Sequence, residues 1–235
     1  MDSSISIIVP LYNEGSGPVD LVAHLDGVAP ECEVIVVDAS DNPESRKVAN
    51  TLDEQANSAR VEVIKAARSG RALQMNLGAE HARGDVLLFL HCDTRLNESS
   101  LKQVSQVVGD GARWGRFDIV LDAPGIPYRV IETMIKLRSR VRQLATGDQG
   151  IFVTAELFHK VGGYPEIALM EDVALSKSLA ACGPPVIIPH PIFTSARRWQ
   201  NRGPLRTIFL MWKLRFLYWI GVPAERLNVM YGDER

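Results

Sequence analysis

His91 and Asp93 follow the apolar run Val86 to His91, and an imidazole with a carboxylate at that spacing can hold Mg²⁺ or Mn²⁺, the imidazole suiting Mn²⁺ better. Two more polar groups follow apolar runs: Pro10-Leu11-Tyr12-Asn13-Glu14-Gly15 and Asp38-Ala39-Ser40-Asp41-Asn42. In an open parallel sheet, ligands bind outside the carboxyl ends of the strands, so these three groups are the first candidates for a site. Asn, Asp and Ser also favour turns and helix caps, a purely structural reading of any one group. Three on one sheet edge point to a ligand. The first run is followed by neither GxGxxG nor GxxxxGK[ST], so a diphosphate here needs a metal ion or cationic side chains.

These residues need strands to end where they stand. Ser4 to Pro10, Glu33 to Asp38, Val61 to Lys65 and Val86 to His91 are rich in β-branched or large apolar residues and read as strands. Val19 to Val28, Pro43 to Asn57 and Arg71 to Ala82 are long enough for crossover helices between them. Repeated βαβ units predict an α/β fold: a mostly parallel, twisted sheet with helices on both faces and right-handed crossovers. Beyond Thr94 the rhythm loosens. Trp114 to Leu121, Gly150 to Thr154 and Val186 to Ile188 read as strands, and Leu101 to Val108, Ile126 to Leu144 and Glu171 to Ala181 as helices. The helix over 126–144 carries basic residues at 129, 136, 138, 140 and 142.

Composition excludes several classes. A chain of 235 residues buries roughly 70–75% of its unfolded surface, enough for one sizeable core. The expected organisation is a single domain over 1–235, with a nucleotide-binding half at 4–97, a second half at 98–200 and a basic tail at 201–235. Cys32, Cys92 and Cys182 are odd in number and far apart, which argues against a disulfide framework or a CxxC zinc site and for a reducing, cytoplasmic setting. The amino terminus has no signal-peptide pattern. A net charge of -2 gives no reason to expect nucleic acid as a partner, although Ser195 to Arg226 holds seven basic residues against the single acid Glu225.

Taken together, SIIVPLYNE (6–14), VVD (36–38), GRALQMNLGA (70–79) and GD (84–85) leading into LFLHCD (88–93) resemble the family 2 glycosyltransferases of the GT-A fold. GDQGIF (147–152), VGGY (161–164) and MED (170–172) are similar to the family's acceptor half, and HCDT with TSARRW to a small bacterial single-domain subgroup. The resemblance implies an inverting transfer of a sugar from a nucleoside-diphosphate sugar to an acceptor hydroxyl, with Mg²⁺ or Mn²⁺ and no organic cofactor. Pro10, Tyr12 and Glu14 would border the nucleoside, Asp38 would accept a hydrogen bond from the base, and Arg71 would lie near the diphosphate. Asp93 matches the last acid of the family's DxD motif, a metal ligand, while His91 replaces the first. Asp172 would be the general base, Glu171 its support, and Asp148 and Gln149 acceptor contacts. Arg198 and Trp199 match the end of QxxRW, with Ser195 where Gln would stand, so processive transfer is not implied. The plain structural alternatives are an exposed first-turn arginine at 71, a packed histidine at 91 and helix-start acids at 171 and 172.

Two other functions stay open at this level: a nucleotidyltransferase, which would normally carry a basic Gly-rich loop where this chain has LYNEG, and a non-catalytic sugar-nucleotide-binding protein. Leu205, Ile208, Phe209, Trp212, Phe216, Trp219 and Ile220 follow helical spacing, with Arg206, Lys213 and Arg215 among them. This basic helix suits either an anionic membrane surface, bringing the site to a lipid-linked acceptor, or packing on the core or in a homodimer through 205–222. The charges interrupt the apolar stretch and argue against a membrane-spanning segment.

Overall fold

A computed structural model describes residues 3–15, 17–55 and 60–232, with the side chains of residues 53–55 and of Arg198 outside the description. Residues 4–97 follow the expected βαβ alternation. Strands β1 (Ile5–Leu11), β2 (Glu33–Asp38), β3 (Val61–Lys65) and β4 (Val86–Phe89) alternate with helices α1 (Gly17–Val28), α2 (Pro43–Gln55) and α3 (Arg71–His81). All four strands are parallel, in the order β3-β2-β1-β4. β1, β2 and β4 are buried almost throughout, because helices cover both faces, and this is why they read as continuous apolar runs.

Alternation along these strands divides the core. Ile7, Val9, Val34, Val36 and Leu88 face Leu21 and Leu25 of α1, while Ile8, Ile35, Val37, Leu87 and Phe89 face Met75 and Ala79 of α3. α3 lies close to the sheet because Gly78 has no side chain; a Cβ there would fall 2.5 Å from Ile8 Cγ2. Buried Gln74 uses that proximity. Its Nε2 donates to the carbonyls of Leu11 (2.6 Å) and Val37 (2.8 Å), tying α3 to the ends of β1 and β2 where the sequence expects a site.

The second half contains β5 (Thr94–Arg95), α4 (Glu98–Gly109), β6 (Trp114–Leu121), α5 (Ile126–Arg142), a 3₁₀ turn (Gly147–Gln149), β7 (Ile151–Thr154), α6 (Ala155–Lys160), α7 (Glu171–Ala180) and β8 (Val186–Thr194). The sheet continues from β4 through β7, β6 and β8 to β5. Here it becomes mixed. β7 is antiparallel to β4 and β6, β6 and β8 are parallel, and β5 is antiparallel to β8.

Two departures from the sequence reading matter for the site. β8 runs on to Thr194 through Pro189 and Pro191, where a fragment ending at Ile188 is expected; a register shift against β6 at Phe117/Ile119 accommodates the prolines. The two-residue β5, too short for any periodic signal, pairs Thr94 with Thr194 and so brings Asp93 next to Ser195. Helices α8 (Arg197–Arg202), α9 (Pro204–Trp219) and α10 (Ala224–Gly232) follow. Leu210 and Leu214 of α9 pack with Met170, Val173, Leu227 and Tyr231, so the tail helix is docked on the loop that carries the paired acids.

Candidate active site

A cleft of about 1010 Å³ opens beyond the carboxyl ends of β4, β6 and β8, lined there by His91 and Asp93, by Leu121 and by Thr194. Arg71, His91, Asp93, Asp148, Glu171, Asp172 and Trp199 all line it. They arrive from α3, the β4–β5 segment, the 3₁₀ turn, α7 and α8.

Met170, the cap of α7, takes a left-handed conformation (φ 71°), which turns the chain so that Glu171 and Asp172 begin the helix side by side. The two acids differ in surroundings. Glu171 is buried and meets Arg71 at 3.4 Å. Burial first, and then the charge of Asp172, push the Glu171 carboxyl above its usual range, with Arg71 pulling against them. Desolvation is the largest influence on Arg71 and pulls its pKa down, but Glu171, Tyr231 and Asp172 together outweigh it and hold the guanidinium above its ordinary value. Asp172 is only half-buried and is oriented by backbone: Oδ2 accepts from Gly147 N at 2.9 Å and Oδ1 from Val173 N at 2.7 Å.

Gly147 also abuts His91. A Cβ at Gly147 would lie 2.6 Å from His91 Nε2, so the imidazole at the DxD position and the carboxylate of Asp172 flank one glycine.

The sequence model of the family described as Glycosyl transferase family 2 matches residues 6–159. The chain belongs to that family. A glycosyltransferase from Streptococcus pneumoniae, GlyG, is 30% identical over 110 residues, which cover 46% of this chain and 36% of GlyG. Among solved structures, S. aureus TarS residues 1–349 with UDP-GlcNAc superimpose with a TM-score of 0.66 at 18% identity, covering 82% of this chain and 58% of that one. The mannosyltransferase PcManGT from Pyrobaculum calidifontis, with GDP-Man and Mn²⁺, gives a TM-score of 0.63 at 16% identity, covering 87% and 62%. The fold is the GT-A fold, and the chain spans less than two thirds of the length of each of these relatives.

In this family 2 chain, Pro10 in β1, Tyr12 and Glu14 in the loop after it, and Asp38 at the end of β2 do not line the large cleft. Tyr12 Oη and Asn13 Nδ2 donate to Asp41 at 3.0 and 2.8 Å, joining the two loops and lowering the Asp41 pKa, Asn13 contributing most. Asp38 is buried at the edge of a separate hollow of about 330 Å³ with Ser40, Arg46 and Lys65, and its Oδ1 accepts from Ser40 N. Glu14 reaches back to the cleft by pairing with Arg197 at 3.6 Å.

Gln149 has a different place from the acceptor contact expected of it. It is fully buried, and its Oε1 accepts from Thr146 N, Thr146 Oγ1 and Ser139 Oγ, which shapes the 3₁₀ turn beneath the cleft. The Arg198 side chain lies outside the described residues, while its neighbours Arg197 and Trp199 line the cleft.

Residues that the sequence reading did not select also gather here. Arg138 and Arg142 of α5, Arg202 of α8, Arg215 of α9 and Tyr231 of α10 line the same cleft. Helical spacing marked α5 and α9 as basic, but which wall their cations face follows from docking. The paired hydrogen bonds of Asn76 with the backbone of Tyr164, both 2.8 Å, show that GRALQMN also serves to clamp the GGY loop.

Proposed function

We propose that this chain catalyses inverting transfer of a sugar from a nucleoside-diphosphate sugar to an acceptor hydroxyl, with Asp172 as general base. The observation that carries the reading is that Asp172, Arg71 and the His91/Asp93 pair line one cleft at the carboxyl ends of the sheet. Both oxygens of Asp172 receive backbone hydrogen bonds, which fixes the carboxylate, and among the described residues no cation pairs with it. Asp172 takes the hydroxyl proton as the acceptor oxygen forms its bond to the anomeric carbon, and the bond to the diphosphate breaks on the opposite face. General-base assistance of this kind contributes about 10²- to 10⁴-fold. Glu171 holds Arg71 in the cleft, and Arg71 with Arg197 and Arg202 offers positive charge to the departing diphosphate.

Asp93 and His91 supply a hard carboxylate oxygen and an imidazole at one strand end. Among the described residues no group of three His, Cys, Asp or Glu side chains is gathered. That donor set fits Mg²⁺ or Mn²⁺ shared with a diphosphate, since such ions are commonly held by one or two carboxylates plus substrate phosphates. When bound, the ion would neutralise charge on the leaving diphosphate. The base would sit on the rim with Tyr12, Glu14 and Asp38, where GDP-Man and UDP-GlcNAc complexes of the structural relatives make a nucleotide sugar the natural donor class.

A second reading concerns location. No helix among the described residues is long and apolar enough to cross a membrane. α9 nevertheless exposes Leu205, Phe209, Trp212, Phe216 and Trp219, its cap exposes Ile220, and α5 exposes Ile126, Val130, Leu137 and Val141. An amphipathic surface of this kind, with Arg206 and Lys213 on the same helix, suits peripheral contact with the anionic inner face of a membrane. Flotation with anionic vesicles at low salt tests it, and absence of binding, or a dimer that hides these side chains, would remove it.

The donor reading is tested by thermal shift with nucleoside diphosphates and nucleotide sugars, with and without Mn²⁺. Stabilisation by a nucleoside diphosphate is expected, greater with Mn²⁺. No response to any of them would overturn it.

A further inference from the structure

Arg138 and Arg215 come from two different helices, α5 and α9, and line the cleft together with Asp148 and Asp172. Each is half-buried. To the described residues Arg138 donates only long hydrogen bonds, 3.3 Å to Ser139 Oγ and 3.4 Å to Thr146 Oγ1. Among the described residues neither guanidinium forms an ion pair, whereas Arg71, Arg116, Arg129, Arg140 and Arg197 each do.

The carboxylates around them act on these cations from a distance, without an ion pair among the described residues. Beneath the cleft, Arg116 and Arg140 share the single carboxylate of Asp118. Asp172 is turned toward backbone amides, and Asp148 makes no ion pair among the described residues. Burial first, and then repulsion between the two guanidiniums, hold Arg138 down at about 10, with Asp148 and Asp172 acting in the other direction. Arg215 is likewise pushed down, by burial first, with Asp172 and Asp148 acting in the other direction. Two cations on one half-buried wall, with no carboxylate in contact among the described residues, are stabilised by an anion that reaches both, and guanidinium forks match phosphate geometry.

We infer that Arg138 and Arg215 form an anion subsite of the acceptor: the molecule that presents its hydroxyl to Asp172 carries a phosphate group, bound by these two guanidiniums on the α5/α9 wall. The inference rests on the transferase reading for the word acceptor, but the anion site can be measured without turnover. It separates the cations of the cleft by task. Arg71, Arg197 and Arg202 belong to the donor side, while Arg138 and Arg215 select what is glycosylated. The phosphate can belong to a soluble phosphoester or to a lipid headgroup, and the exposed apolar side chains of α5 and α9 border the same wall.

The test is binding of inorganic phosphate, of glycerol 3-phosphate against glycerol, and of phosphatidylcholine vesicles with and without phosphatidylglycerol. Each is measured with a nucleoside diphosphate and Mn²⁺ at saturation, so that the donor side is filled. Arg138→Gln/Arg215→Gln should weaken phosphate or phosphoester binding at least tenfold, since hydrogen bonds between ionised groups are the strong ones. Arg138→Lys/Arg215→Lys should restore part of it, and the surface control Lys160→Gln should leave it unchanged. Binding of glycerol 3-phosphate but not glycerol identifies a soluble source; binding only of phosphatidylglycerol vesicles, lost in the double Gln variant, identifies a lipid. Equal binding by wild type and a double Gln variant with unaltered circular dichroism overturns the subsite, as does no binding of any phosphate probe. A chain that responds to no nucleoside diphosphate, but whose phosphate binding is lost in the double Gln variant, sinks the transferase reading and leaves the anion site standing.

Discussion

Gly147 N donates to Asp172 Oδ2 at 2.9 Å while the same residue's Cα lies against the His91 ring. The 3₁₀ turn therefore sets the spacing between the proposed base and the strand end that carries the DxD-like motif. A methyl at Gly147 would fall 2.6 Å from His91 Nε2, so the imidazole or the turn must move to admit it. Gly147→Ala should displace the imidazole or the turn by a fraction of an ångström to an ångström, and misplacements of that size cost about 10²-fold in rate. The expected result is a large fall in kcat with a small change in thermal midpoint, measured on the same preparation. A variant as active as wild type would show that the turn does not position the base.

The acids should separate cleanly by assay. Asp172→Asn keeps the shape of the side chain and loses the proton acceptor, so transfer should drop by about 10²- to 10⁴-fold while nucleoside-diphosphate affinity stays near that of wild type. Asp93→Ala should act on binding, reducing the additional affinity that Mn²⁺ or Mg²⁺ confers on the nucleoside diphosphate. Isothermal titration with and without metal distinguishes the two variants. Retained transfer by Asp172→Asn would remove it as base, and an unchanged metal effect in Asp93→Ala would place the ion elsewhere.

Most of the first half was legible because its strands are buried on both faces and their apolar runs have no other explanation. Glu33–Asp38 and Val61–Lys65 are found with the predicted bounds. The same logic failed where local signals are short or ambiguous. β5 has two residues, and prolines conceal the length of β8. Asp93, Arg71 and the paired acids were visible as motif residues, and the structure brings them to one cleft. Gln74 was not singled out, since a buried amide on α3 has the same spacing as a surface one. The family resemblance makes Gln149 an acceptor contact, yet the three-residue turn carries its side chain into the core. Arg138 and Arg215 lay in recognisably amphipathic helices, but their convergence depends on how α9 docks against Met170 and Val173.

That docking has a measurable energy. Leu214 is fully buried in the contact between α9 and the loop leading to Glu171. Leu214→Ala should destabilise the chain by about 2–5 kcal/mol through lost burial and the cavity left behind. Because α9 also carries Arg215, its loosening should weaken phosphate binding more than nucleoside-diphosphate binding. Urea titration gives the stability change, and equal losses at both ligands would mean that α9 supports the whole cleft instead of one wall.

Glu171 leads to a pH signature whose sign follows from its burial. Desolvation, then Asp172, raise its carboxyl pKa in the folded chain above the ordinary 4.5, against the pull of Arg71. The folded state thus holds this proton to a higher pH than the unfolded state does. By linkage, the group's contribution to stability is full below 4.5 and is lost as pH rises through the raised folded value. Glu171→Gln keeps a hydrogen-bond acceptor for Arg71 and removes the ionisation. Thermal midpoints measured upward from pH 4.5 should fall less steeply in Glu171→Gln than in wild type. Parallel curves would mean that Arg71 compensates the carboxylate fully, and that Glu171 enters the reaction as a fixed anion without a proton to exchange.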